Sequence, residues 1–426
     1  MGEQNELRDA VAEGLRNLEE FLDKIPGGGV TRDVRDRVGA LRQLLVEQRD
    51  PRFALVGRRG SGKSSLINAI MGEPIAVVGH ETSATGRGAW YAYSSERGRL
   101  RILDTRGLQE GSRPDCPDDA ASPRESILKE LRAECPDAVL FLIKAKEVDS
   151  AVDGDLSEVE HLLKAAHEEH GAAIPLLAVV TSCDELEPKN VKLHAPEGED
   201  ARDIEEKLAR VRAVERHLEV KIRDRAPLKD RLIGVLGVSS YQSWRGDGSR
   251  RADERWRIDA LVGKLVDELP KEARVGLVRL SQIKHLQRSL AGTIAMLIAG
   301  ICAAIAVLPI PGSDIVPITS MQVSLVASVA HVSGRTMTLR SSAEFLGAIG
   351  MNVGLSFAFR ELARGLVKLV PAAGSAASAA IAYATTLGIG KAAAAYFIDG
   401  VGPGDARRIF ASTRDAERER YARAGE

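Results

Sequence analysis

Residues 54–70 read ALVGRRGSGKSSLINAI. An apolar run enters a glycine-rich turn, and a Lys-Ser pair opens a helix-like segment. The spacing Gly57-x-x-x-x-Gly62-Lys63-Ser64 is the Walker A phosphate-loop pattern, and strand, loop and helix follow in the order it requires. The chemistry accounts for the residues. Backbone N–H groups of a tight turn converge on a phosphate, and Gly60 and Gly62 let the chain approach without a Cβ in the way. The following helix turns its N-terminus to the anion. Lys63 is expected to reach the β- and γ-phosphates, and the Ser64 hydroxyl to ligate Mg²⁺. The candidate phosphate-binding set is therefore Gly57, Arg59, Gly60, Ser61, Gly62, Lys63, Ser64 and Ser65.

Outward from this loop, apolar runs recur at 100–104 (LRILD), 137–145 (DAVLFLIKA), 174–181 (IPLLAVVT) and 231–240 (RLIGVLGVSS), with charged helical stretches between them. Alternation of this kind predicts an α/β domain over 50–270, a doubly wound and mostly parallel sheet. Residues 201–225 read as one charged helix: an inserted protrusion, an interaction surface or, most simply, a long solvated helix.

Three further motifs stand at strand ends. Asp104-Thr-Arg-Gly107 has the D-x-x-G spacing, Thr181-Ser-Cys-Asp184 matches N/T-K-x-D in part, and Ser239-Ser240-Tyr241 stands where S-A-x would follow. Four motifs in this order resemble the translation-factor-related P-loop GTPases on the Era-like side. The wording GSGKSSLIN is similar to the immunity-related, dynamin-like GTPases. That resemblance covers roughly residues 50–270. It implies GTP or GDP bound with Mg²⁺, and GTP hydrolysed to GDP and phosphate. Ser64, Thr85 and Asp104 would hold the metal, with Thr82 second to Thr85 in the loop 79–88. The Gly107 N–H would sense the γ-phosphate, and Lys63, Thr85 and Gly107 would form the catalytic group. Asp184 would accept from guanine, with Thr181, Ser239 and Ser240 around it. A second switch loop is expected over 108–124.

Departures from the family pattern matter. Ser182 replaces the motif lysine, which predicts weaker guanine affinity and leaves ATP as the alternative nucleotide. Leu108 stands where Ras-like proteins carry the water-positioning glutamine, so catalysis would need a partner, a second copy or a backbone-held water. Arg58 and Arg59 lie in the loop. Guanylate-binding proteins carry an arginine finger one position beyond Arg59, where this chain has Gly60; a solvated pair, or a pair facing a partner, is the plainer reading.

Apolar residues at helical spacing mark amphipathic helices at 5–24 and 31–48. After Arg288 the composition changes, and the stretches 289–313, 315–334, 345–359 and 369–390 contain no Asp, Glu, Lys or Arg. PIPGSDIVPITSMQ (309–322) resembles a YcjF-type bacterial helical domain of unknown function, often membrane-associated. The expected division is 1–49 N-terminal helices, 50–270 nucleotide domain, 271–404 apolar helical domain and 405–426 charged tail, with both ends of the chain building one all-α domain. Two readings of the apolar helices stay open: hairpins that dock on or enter a membrane, and a close-packed soluble bundle. LPIPGSD (308–314) and VPAAGSA (370–376) share P-x-x-G-S, a hint of internal duplication.

Fifty-nine basic against 60 acidic residues, a net charge of −1, argue against a general nucleic-acid binder. Four scattered cysteines show no metal-ligand spacing. The charged start MGEQNELRDA lacks an apolar signal core, so the expected location is cytoplasmic, with peripheral or integral association at an inner membrane as the further option. Two classes of function fit: a GTP-driven switch or mechanoenzyme that couples its nucleotide state to the helical domain, at a membrane or in self-assembly; or a soluble Era-like assembly factor directed to the ribosome or RNA, with a GTP-binding scaffold of little turnover as the non-enzymatic reading.

Overall fold

The computed structural model describes residues 2–23, 29–74, 80–81, 90–104, 123–149, 152–307, 315–335, 338–349 and 376–424. The chain divides into two compact units, Asp50–Pro270 and the pair of segments Met1–Arg49 and Lys271–Glu426.

Helices α1 (Gly2–Asp23) and α2 (Gly29–Leu45) come first. The Asp50–Pro270 unit follows with β1 (Arg52–Val56), α3 (Lys63–Met71), β2 (His80–Glu81), β3 (Trp90–Ser95), β4 (Gly98–Asp104), α4 (Pro123–Ala133) and β5 (Ala138–Lys144). It continues through α5 (Val152–His170), β6 (Leu176–Thr181), α6 (Ala201–Arg223), α7 (Ala226–Lys229), β7 (Leu232–Gly237), β8 (Gln242–Trp244), β9 (Arg250–Asp253) and α8 (Ile258–Glu268).

The main sheet has the order β2-β3-β4-β1-β5-β6-β7. Strand β1 pairs in parallel on both sides, Phe53 lying opposite Ile102 of β4 and Ala138 of β5. Parallel pairing extends through β6 to β7. The expected parallel sheet is thus present, its β5 and β6 buried along nearly their whole length, as strands covered on both faces must be. Strand β3 has no counterpart among the apolar runs of the sequence. It runs antiparallel between β2 and β4, with Trp90 opposite Leu103. The Arg101 guanidinium lies 5.4 Å from the Trp90 ring centre, a charged stem covering an aromatic near the sheet edge. The β8–β9 hairpin was also unforeseen. Its Arg250 and the following Arg255 donate to the carbonyls of Gly72 (2.9 Å) and Ala69 (2.8 Å), placing cations on the carbonyl end of α3.

With β1 central, the chain winds out and back on one side and then crosses to the other. Ligand crevices of such sheets form at this reversal, beyond the carboxyl ends of the strands. The end of β1 is the glycine-rich loop.

The second unit joins α1 and α2 to α9 (Lys271–Ser281), α10 (Lys284–Val307), α11 (Ile315–Val332), α12 (Leu339–Ala348), α13 (Ala376–Ala394) and α14 (Pro403–Ala424). Val11, Leu15, Leu18 and Leu22 of α1 and Val34, Val38, Leu41 and Leu45 of α2 are buried, as their spacing requires. Close backbone approach is visible where α13 meets α10: a Cβ on Gly390 would stand 2.4 Å from the Ala295 Cβ. The expected charged tail is the helix α14, which buries Ala406 and Phe410. Among the described residues, Lys284–Val307 and Ala377–Asp399 are long and apolar enough to cross a membrane by length and composition, yet 56% and 72% of their apolar windows are buried inside the protein. The first segment of the proposed duplication, and all but Ala376 of the second, lie outside the described residues.

Candidate functional site

The phosphate loop runs from Gly57 to Gly62, between β1 and α3. Gly60 and Gly62 adopt left-handed backbone, with φ of 81° and 89°, which favours glycine at both. Gly57 is required for a different reason: a Cβ there would lie 2.5 Å from the Leu142 carbonyl oxygen. The Ser61 N–H donates to the Arg58 carbonyl (3.1 Å), closing the turn. Lys63 opens α3 and is buried, its ammonium donating to the carbonyls of Gly57 and, at 3.1 Å, Arg58. Ser64 and Ser65 are exposed in the first turn of α3, whose N–H groups have no helical carbonyl to take.

Arg58 and Arg59 part company. Both are exposed, but Arg58 also forms an ion pair with the buried carboxylate of Asp155 on α5, Nε to Oδ2 2.9 Å. Both arginines are thus open to solvent, and Arg58 is in addition anchored to α5. Asp155 was not identifiable from sequence, because nothing local links it to a loop 97 residues earlier.

The base-reading candidates gather at the ends of β6 and β7. Thr181 closes β6, and its hydroxyl donates to the Ser61 carbonyl at 2.8 Å, so this strand end is bonded to the phosphate loop. Ser182 adopts left-handed backbone (φ 56°), turning the chain into the short 3₁₀ turn Cys183–Glu185 that carries Asp184. The Cys183 N–H donates to the Val238 carbonyl (3.2 Å), and the Val238 N–H to the Val180 carbonyl (2.8 Å), which sets Ser239 and Ser240 beside this turn. Ser239 is bridged to Trp256 through backbone bonds in both directions, 3.2 and 3.0 Å. Burial, with the charges of Glu215 and Asp184 adding to it, pushes the Cys183 thiol up to about 12, so it is not a thiolate nucleophile at neutral pH.

Asp104 ends β4, its backbone opposite Leu55. The Asp104 side chain, Thr82, Thr85, Gly107, Leu108 and residues 108–122 lie outside the described residues. Pro123 and Arg124, assigned from sequence to the second switch loop, begin α4.

The residues present fit a nucleoside triphosphate. The glycine backbone admits a phosphate, Lys63 supplies a cation at the helix start, and the buried hydroxyls of Ser61, Ser239 and Ser240 have no hydrogen-bond partner among the described residues. Buried hydroxyls ordinarily find one, so these are suited to a polar ligand. Among the described residues no cluster of His, Cys, Asp and Glu could hold a metal by itself.

The helix α6 was expected to be simply solvated. It instead buries Lys207, Val211, Leu218 and Ile222, and two of its polar side chains bond the loops around Asp184 and Gly237. Lys207 is fully buried, and burial holds its ammonium below the usual lysine range against the opposing charge of Asp184.

Residues 52–181 match the family model described as 50S ribosome-binding GTPase. This segment is a P-loop GTPase domain. Relatives include GTPase Der of Macrococcus caseolyticus, 31% identical over 137 residues, which are 32% of this chain and 28% of the relative. GTPase Der of Halalkalibacterium halodurans is 28% identical over 144 residues, 34% of this chain and 30% of the relative. The match thus spans under a third of either relative's length. Among solved structures, Toc33 from Arabidopsis thaliana in complex with GDP and Mg²⁺ is 18% identical, covers 58% of this chain and 93% of its own, and has a TM-score of 0.32. An oligomerised bacterial dynamin pair is 15% identical, covers 68% of this chain and 55% of its own, with a TM-score of 0.32.

Proposed function

We propose that the Asp50–Pro270 unit binds GTP and GDP with Mg²⁺ and hydrolyses GTP, and that its nucleotide state governs the helical unit. The observation that carries this reading is the bond from Thr181 to Ser61, which couples the base-reading turn to a phosphate loop headed by a buried lysine. The GTPase domain over 52–181 and the GTPase-named relatives support hydrolysis.

Each residue has a role in this proposal. The backbone of Gly57, Arg59, Gly60, Ser61, Gly62, Ser64 and Ser65 cradles the phosphates, and Lys63 compensates their charge. Mg²⁺, which neutralises charge on the β- and γ-phosphates, would be held by Ser64, Thr85 and Asp104. Asp184 accepts from guanine's N1–H and amino group, which adenine cannot offer, with Thr181, Ser239 and Ser240 around it. The N–H of Gly107 and the Thr85 loop respond to the γ-phosphate. Leu108 provides no hydrogen bond to orient water, so turnover draws on a partner, a second copy or backbone groups. Arg58 is engaged with Asp155, which leaves Arg59 as the loop arginine open to such a role.

A ligand shifts a conformational equilibrium only by its differential affinity for the two states. GTP must therefore bind differently to two arrangements of the chain for the helical unit to act. We place that action in nucleotide-dependent self-association or docking at a membrane surface by a cytoplasmic protein. The burial of α10 and α13 supports their being bundle helices in the folded state. A second reading, a ribosome-directed assembly factor, is supported by the description of the matching family model.

The test is GTP turnover by the full-length protein across a concentration series, with and without liposomes, alongside liposome flotation and ribosome co-sedimentation in GTP and GDP. Turnover that rises with concentration or lipid supports the switch. Turnover constant per molecule, with GTP-dependent ribosome binding, supports the second reading. Absence of GTP binding sinks both.

A further inference from the structure

The resemblance leaves one part of the site without its usual residue: Ser182 stands where the motif has a lysine whose stem packs over the base and the phosphate loop. The structure contains a lysine close by, from a different element. Lys207, on α6, is fully buried. Its ammonium donates to three backbone carbonyls, Asp184 at 2.7 Å, Val191 at 2.8 Å and Pro188 at 3.1 Å. Three protons meet three acceptors, so the buried cation is fully satisfied. All three acceptors belong to the segment that starts with Asp184.

The same helix holds the neighbouring loop. The Glu215 carboxylate accepts from the Gly237 N–H at 2.6 Å and from Arg257 at 2.7 Å. Gly237 leads into Ser239 and Ser240, and a Cβ on it would lie 2.7 Å from Val211 of α6 and 2.9 Å from the Cys183 sulfur. Helix and loops are therefore packed without slack.

We infer that Lys207 is a positioning residue for base selection: from behind the turn it fixes the backbone that presents Asp184, with Glu215 bracing the adjoining loop from the same helix. This rests on the reading of Asp184 as the guanine acceptor. A buried carbonyl deprived of its donor moves to find another, and here the moving carbonyl is that of Asp184 itself. The phosphate loop receives no bond from Lys207, so its own affinity for phosphate is independent of the lysine.

The experiment compares the full-length wild type, Lys207→Met, Lys207→Gln and Asp184→Asn for binding of GDP, ADP, XDP and inorganic triphosphate. Lys207→Met is expected to weaken GDP roughly ten- to a hundredfold, the range that loss of a supporting group produces by misplacement. Inorganic triphosphate should bind it as it binds the wild type. Lys207→Gln, which keeps two of the three donors, should fall between, and it carries the test if the methionine variant does not fold. GDP affinity unchanged in Lys207→Gln and Lys207→Met overturns the inference, as does an equal loss of GDP and triphosphate, which would mark general destabilisation. Failure of the underlying reading looks different: a wild type that prefers neither GDP nor ADP, or an Asp184→Asn variant that gains no XDP affinity.

Discussion

The Thr181 hydroxyl reaches the Ser61 carbonyl at 2.8 Å, across 120 residues of sequence. A strand end assigned to base reading and a loop assigned to phosphate binding are thereby one hydrogen-bonded body. Thr181→Val keeps the shape and removes the donor. A buried carbonyl left without its partner costs about 1–3 kcal/mol. The variant should lose stability in chemical denaturation and bind GDP more weakly by titration calorimetry. Retention of full affinity and stability would mean that the link plays no part in the site.

Lys63→Ala removes a side-chain cation buried at the head of α3. Backbone N–H groups cannot match the charge of a triphosphate, so GTP binding should fall below detection in a fluorescent-nucleotide titration. Ser64→Asn, which disturbs the metal rather than the cradle, should retain weak GDP binding. GTP bound equally well by Lys63→Ala would end the phosphate-loop reading.

Asp184→Asn exchanges an acceptor for a group that can donate to the extra carbonyl of xanthine. Preference should move from GTP toward XTP in a competition assay. The backbone carbonyl of Asp184 is retained in the variant, so the Lys207 bond (2.7 Å) survives and the change is confined to the base.

Packing of the helical unit makes a paired prediction. At Gly390 an added Cβ would overlap the Ala295 Cβ at 2.4 Å, whereas at Gly292 on α10 it would meet nothing within 4 Å. Gly390→Ala should destabilise by about 1–3 kcal/mol through overpacking. Gly292→Ala should be neutral or stabilise by roughly 0.5–1 kcal/mol through helix propensity. Thermal unfolding followed by far-ultraviolet circular dichroism separates the two outcomes.

His331, near the end of α11, bonds Gln48 through Nε2 at 3.2 Å. Burial, together with the charge of Arg279, lowers its pKa from 6.5 to about 4. Between these values the unfolded chain binds the extra proton and the folded chain does not. The contribution is therefore fully present above pH 6.5 and is lost as pH falls toward 4. The loss should be on the order of 1–3 kcal/mol for a partly exposed ring. His331→Gln should flatten stability against pH in this window; an unchanged slope would place the acid sensitivity elsewhere.

The phosphate loop, the parallel strands and the amphipathic helices were legible in the sequence because each is a local pattern. A glycine at fixed spacing, an apolar run of strand length or a 3.6-residue period carries its meaning within a few residues. Asp184 and Ser239 were legible for the same reason, each following an apolar strand. What tertiary structure decided lies where distant segments meet. The pairing of Arg58 with Asp155 separates two arginines that look alike in sequence. The role of α6 was hidden because Lys207 and Glu215 sit among many charged residues, and only burial distinguishes them from the solvated ones. A charge in the interior must find partners, and Lys207 finds three on one segment (Asp184, Pro188 and Val191). Strand β3 was equally hidden, since an antiparallel strand near a sheet edge takes its place from β4 beside it, not from a buried apolar run of its own. Sequence therefore determined which groups are candidates for phosphate and base; the fold determined what holds them in place, because desolvation and hydrogen-bond satisfaction act between residues that sequence keeps far apart.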